Sequence, residues 1–240
     1  MASSKSPNRC ETIRHAELIT CYMCDAISTS REHVPASCFF PKEKDIDRDL
    51  RRNLITVPSC DLHNSCKSKD DEYLRTIILM TAGNNAVGQH QLFGKLLPAV
   101  ARRPHAYRAF ISDKGTVARG KGRALQIDRK RFNRCIDHLV RAIFFDTYKH
   151  KWLFPIVSVS PNFFSGTSSD QMVPHQPSLK AMEASRQFLA KEPNRGEKSE
   201  VFMCRVRCDE ANKQYAFAAI FYGCFEVYSF STMHMLSTTA

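Results

Sequence analysis

The chain predicts an α+β fold, and three observations carry that expectation. Residues 127–148 place Ile127, Phe132, Ile136, Leu139, Val140 and Ile143 on one stripe at helical spacing, with Asp128 positioned as an N-cap. Residues 200–231 hold three runs, EVFMCRVRC, QYAFAAIFYG and CFEVYSFS, separated by turn residues; Phe202, Cys204 and Val206 alternate with Met203, Arg205 and Arg207. That alternation predicts an antiparallel meander with one face on the core. Near the N-terminus, Cys21 and Cys24 form a C-x-x-C pair, and Cys60 and His63 form a C-x-x-H pair.

The elements follow in order. Residues 1–17 read as a polar N-terminal extension and residues 18–80 as a dense motif region. Residues 81–126 contain a turn-rich hinge (TAGNNAVG), a helix and a basic loop centred on DKGTVARGKGR. That helix, HQLFGKLLPAVARR, puts Leu92, Phe93, Leu96 and Leu97 on one face, with Pro98 straining or ending it. Residues 127–240 form the α+β C-terminal domain: the long helix, a strand in KWLFPIVSVS, a Pro/Ser/Gly loop over 161–178, a helix in SLKAMEASRQFLAKE with Ser178 as N-cap, and the meander.

A length of 240 residues suffices for a substantial core, and 43% hydrophobic with 25% charged residues excludes a disordered chain. No apolar run approaches the roughly 20 residues of a membrane span, and the N-terminus lacks the apolar core of a secretion signal. The expectation is a cytoplasmic protein with no membrane partner, so the ten cysteines are read as metal ligands or buried thiols rather than disulfides. The formal charge is +11. Residues 101–151 hold nine Arg and five Lys against four Asp, nearly the whole excess, which suits a polyanionic partner.

The two pairs, separated by 35 residues, fit a structural Zn²⁺ site. Each tight turn lets two donors converge, and the distant pairs then clip two parts of the chain together. Cys38 and Cys66 are nearby competitors. His105, His138, His150 and His175 make no metal-spaced cluster.

Between the pairs lie Glu32 and His33, followed by Val34 and Pro35, and then Asn53 in RRNLITVPSC; Asn64 follows in HNSCKSKDDEYLRTIILM. Over residues 18–80 this order resembles the HNH endonucleases, the ββα-metal class, in a zinc-stapled H-N-N form whose final histidine is replaced by asparagine. The HNH domain of RNA-guided CRISPR nucleases is similar in that replacement. The resemblance implies metal-dependent hydrolysis of DNA phosphodiester bonds. His33 would be the general base, and Asn53 would brace the loop and orient His33. Glu32 and Asn64 would hold a catalytic Mg²⁺ or Mn²⁺.

Lys67 and Lys69 are candidate phosphate contacts, and Arg119, Lys121 and Arg123 a candidate nucleic-acid surface in the basic block. DNA is the expected partner, RNA the weaker substrate, and a partner protein or homodimer is compatible. The competing expectation is a zinc-structured module that binds nucleic acid or protein without cutting.

Overall fold

The computed structural model of the chain describes residues 19–111, 116–119, 122–125, 127–163 and 176–231. The N-terminal extension, Lys121 and His175 lie outside the described residues. Strands β1 (Ser30–His33) and β2 (Thr56–Ser59) form an antiparallel ribbon, and helix α1 (Glu43–Ile46) sits in the long connection between them. The chain then runs through α2 (Asp61–Asn64) and a 3₁₀ turn into α3 (Ser68–Leu79). Helices α4 (Ala86–Gln91), α5 (Leu97–Arg102) and α6 (Pro104–Ile111) follow. A hairpin of β3 (Thr116–Arg119) and β4 (Gly122–Leu125) leads to the long helix α7 (Arg129–Tyr148). Strand β5 (Ile156–Val159), helix α8 (Gln176–Leu189) and strands β6 (Phe202–Asp209), β7 (Gln214–Phe221) and β8 (Phe225–Ser231) complete the fold. The last sheet is antiparallel throughout, in the order β5-β8-β7-β6.

The pattern in β6 places alternate side chains on opposite faces of this sheet. Phe202, Cys204 and Val206 are buried and share one hydrophobic cluster with the stripe of α7. Met203 and Arg205, on the other face, line a cleft with Arg186 and Leu189 of α8 and with Ala190 just beyond it. The sheet therefore lies between α7 and α8. Asp128 caps α7 by accepting from the Arg131 amide at 3.0 Å, as its position in the sequence implies.

Helix α3 packs on the other side of α7, and the joint is electrostatic as well as apolar. Asp70 receives Arg131 Nε and Arg134 Nε, each at 2.8 Å. The Arg131 guanidinium also lies 4.3 Å from the Tyr73 ring centroid and 4.8 Å from that of Phe110. Arg131 thus joins two helices and a ring pair instead of lining a solvated helix face.

Four local expectations are corrected. The TAGNNAVG segment is a pinned corner, not a hinge. Asn84 is buried and donates to the carbonyls of Ile78, Leu79 and Thr81, while Asn85 Nδ2 reaches Glu200 O at 2.7 Å. The core is continuous across it: Phe39 stacks on Phe221 with centroids 5.3 Å apart, and Tyr222 donates to Phe39 O. A π turn at Leu92–Leu96, closed by the Leu97 amide on Leu92 O, rotates the expected apolar face, so Leu96 is buried while Phe93 and Leu97 are exposed. Pro98 follows the π turn directly and does not end the helix, because α5 runs on to Arg102. The basic loop contains α6 and the β3–β4 hairpin. Finally, α8 begins at Gln176, so Ser178 lies inside the helix and not before it.

Candidate metal centre and the hairpin beside it

Cys21 and Cys24 sit in a knuckle closed by the Cys21 amide on Ala26 O and by the Thr20–Ile27 bridge. Cys60 precedes the first turn of α2, and His63 lies in that turn, so C-x-x-H presents both donors to one side. The four side chains converge. His63 Nδ1 is 3.5 Å from Cys21 Sγ, 3.5 Å from Cys24 Sγ and 3.3 Å from Cys60 Sγ, and the Cys24 and Cys60 sulfurs are 3.8 Å apart. Tetrahedral Zn²⁺ with ordinary Zn–S and Zn–N bonds requires separations of about 3.8 Å for S···S and about 3.6 Å for S···N. The donor set fits zinc.

The electrostatics suit a cation at Cys21 and His63, whereas at Cys24 the Ala26 amide is outweighed by burial and the neighbouring sulfurs, which raise the thiol. Burial raises the Cys21 thiol, but the backbone amides around it outweigh burial and hold its pKa below the ordinary thiol value; one of them, from Met23, lies 3.4 Å from the sulfur. Burial lowers the pKa of His63, which keeps the imidazole neutral as a ligand must be. His138 lies behind the cluster, its ring centroid 5.7 Å from that of His63 and its Nδ1 3.3 Å from Tyr22 Oη. Burial, with the charges of Lys67 and His63, pushes His138 down to about 4. Sequence spacing gives no sign of this residue, because it comes from α7.

The hairpin separates the other candidate residues by face. Ser30 and Glu32 share one face, toward α2 and the turn into α3; Arg31 and His33 point the other way. Asn64 Nδ2 donates to Ser30 Oγ at 2.8 Å, so Asn64 stands on the same side as Glu32. Glu32 is buried: its Oε1 is 2.7 Å from Lys67 Nζ, and its Oε2 accepts from Ser59 Oγ at 3.3 Å. Lys67 Nζ is also 2.7 Å from Asp71 Oδ1. Burial raises the pKa of both Glu32 and Asp71, with Lys67 offsetting part of the rise. Lys67 is itself raised: burial opposes the charge, but the two carboxylates outweigh it. It is therefore an internal cation, not the phosphate contact expected from the sequence. Lys69 is exposed, and its carbonyl accepts from Arg131.

His33 is exposed at the end of β1, opposite Thr56. Arg31, on the same face, is held against Thr56 by bonds of 2.8 Å to Oγ1 and 3.0 Å to the carbonyl. Sequence reasoning missed this arginine; its signal was the i, i+2 relation to His33 on a strand. Asn53 is exposed with φ of 56°, a conformation asparagine tolerates, and shares a crevice with Val34 and Pro35. Cys38 lies outside the four-residue cluster. For Arg119 and Arg123 the described structure is the β3–β4 backbone alone.

No family model matches the chain, and neither a curated protein nor a solved structure is significantly similar to it. Among the described residues no helix is long and apolar enough to cross a membrane.

Proposed function

We propose that the chain is a zinc-stapled ββα endonuclease that hydrolyses DNA phosphodiester bonds, with His33 as the general base. The observation that supports this reading is the placement of His33. It is exposed at the end of a strand whose partner strand runs directly into a ligand of the four-residue cluster, and Arg31 lies beside it on the same face. Histidine can take a proton from water near neutral pH. The Arg31 guanidinium supplies positive charge where a phosphate would approach.

A catalytic Mg²⁺ or Mn²⁺ would neutralise phosphate charge and acidify water. Glu32 as placed does not fit such an ion, because an ammonium already occupies one carboxylate oxygen and Ser59 the other. The proposal therefore assigns proton transfer to His33 and charge to Arg31, with Glu32 as part of the internal network.

That same network favours a second reading, a zinc-structured nucleic-acid-binding module without cleavage. A supercoiled-plasmid assay with Mg²⁺ or Mn²⁺ separates the two. Wild type should nick or linearise the plasmid, and His33→Ala should lower the rate by about 10² or more while gel-shift affinity stays constant. Wild type that retains DNA in a salt-dependent manner but never cuts it supports the binding module. Equal cutting by wild type and His33→Ala removes His33 as the base.

A further inference from the structure

Helix α7 ends at Tyr148, and Lys149 takes a left-handed φ of 61° that turns the chain out of the helix. His150 is thereby brought to the end of β6, next to Cys208 and Glu210. Its Nε2 is 3.2 Å from Glu210 Oε1, and one ligand atom from each of His150, Cys208 and Glu210 lies within 4.8 Å of the others. His150 Nδ1 is 3.2 Å from Tyr148 O. A carbonyl only accepts, so Nδ1 carries the proton, and Nε2 turns toward the carboxylate. Two such groups face each other favourably only with a proton or a cation between them.

The surroundings hold this arrangement in place. The Phe144 ring meets the imidazole edge-on with centroids 5.1 Å apart, and Tyr148 Oη accepts from the Cys208 amide at 3.0 Å. A backbone carbonyl on the second ring nitrogen is the usual means of orienting a ligating histidine.

We propose that His150, Cys208 and Glu210 form a second metal site that binds Zn²⁺ through three protein ligands, with the fourth position open to water or an exogenous donor. A thiolate and a carboxylate together balance the charge of a divalent ion, and sulfur with imidazole nitrogen selects zinc over the oxygen-seeking Mg²⁺ and Ca²⁺. The site clips the C-terminal end of α7 to the β6 edge of the sheet and shares no ligand with the N-terminal staple. The sequence hides it, because His150 is 58 residues from Cys208.

The test is the zinc content of the zinc-loaded full chain after gel filtration, read by elemental mass spectrometry. Cys208→Ser and His150→Gln should each retain about one equivalent fewer than wild type, and Cys24→Ser should lose a different equivalent, so the two sites fail separately. His150 and Glu210 side chains are 47% and 68% exposed, so His150→Gln and Glu210→Gln keep the test valid if Cys208→Ser does not fold. Folded His150→Gln and Glu210→Gln that both hold as much zinc as wild type would overturn the site.

Discussion

Lys67 shows how a single side chain can change role once its neighbours are known. Its ammonium lies between Glu32 and Asp71, two carboxylates that burial alone would disfavour as anions. Lys67→Met keeps the length and removes the charge, leaving both acids without their cation. Breaking a buried pair from one side typically costs about 3–5 kcal/mol, so urea unfolding should show a loss of about 3 kcal/mol; a loss below about 1 kcal/mol would mean that the network carries little stability. Asp70 gives the opposite case. Burial would raise its carboxyl, but Arg134 and Arg131 outweigh burial and hold it below the usual carboxylate range. A carboxylate depressed in the folded state contributes stability above its unfolded pKa of about 3.9 and loses it as pH falls through the folded value. Asp70→Asn should therefore cost about 2 kcal/mol at pH 7, and the difference from wild type should shrink in denaturation curves as the pH falls from about 3.9 through the folded value.

At the scale of elements, the knuckle, the β1–β2 ribbon and the start of α2 bury Cys21, Tyr22, Val57 and Cys60 in the core, while Ile19, Ile27 and Leu62 are exposed at their outer edge. A metal held by the Cys21, Cys24, Cys60 and His63 cluster would tie these pieces together there. Structural zinc contributes folding free energy directly. Cys21→Ser should lower zinc content, and a loss of about 3 kcal/mol would lower Tm by about 6–12 °C in a chain of this size. An unchanged Tm with full zinc content would exclude Cys21 as a ligand. This centre was legible because its four donors lie within two short turns. The meander and α7 were legible because their periods of 2 and 3.6 run long enough to be read, and Asp128 stands where a cap must stand. The π turn was not legible: Leu92, Phe93, Leu96 and Leu97 do fall on one ideal helical face, and only the extra residue in the turn moves Phe93 into solvent. The face of Glu32 was not legible either, since a lone Glu-His pair on a strand says that the two diverge but not which one turns inward.

Across the whole molecule, the basic excess of residues 101–151 divides into distinct fates. Arg131 lies over the Tyr73 and Phe110 rings and Arg141 is bonded to Asp137 and to the Trp152 carbonyl, whereas Arg102, Arg103, Arg108, Arg129 and Lys130 are exposed on α5, α6, α7 and the α5–α6 junction. Composition counts all of these alike; only the exposed ones can release counterions from a nucleic acid. One short segment also joins the N-terminal knuckle to the C-terminal sheet. Lys151 reaches the knuckle, donating to Cys24 O at 2.8 Å and pairing with Asp25, and the next residue is Trp152. Trp152 is the single tryptophan of the chain, 1% exposed, with ring centroids 5.2 Å from Phe144 and 5.3 Å from Tyr215. The protein thus carries its own optical probe: an indole seated in an aromatic cage, one residue from a lysine tethered to the proposed zinc ligands. Withdrawal of the ion by a chelator should loosen that tether and admit water to the cage, so the indole emission should shift to the red before β6–β8 give up their circular dichroism. Emission that stays fixed while zinc leaves would show that the cage is held by the sheet alone.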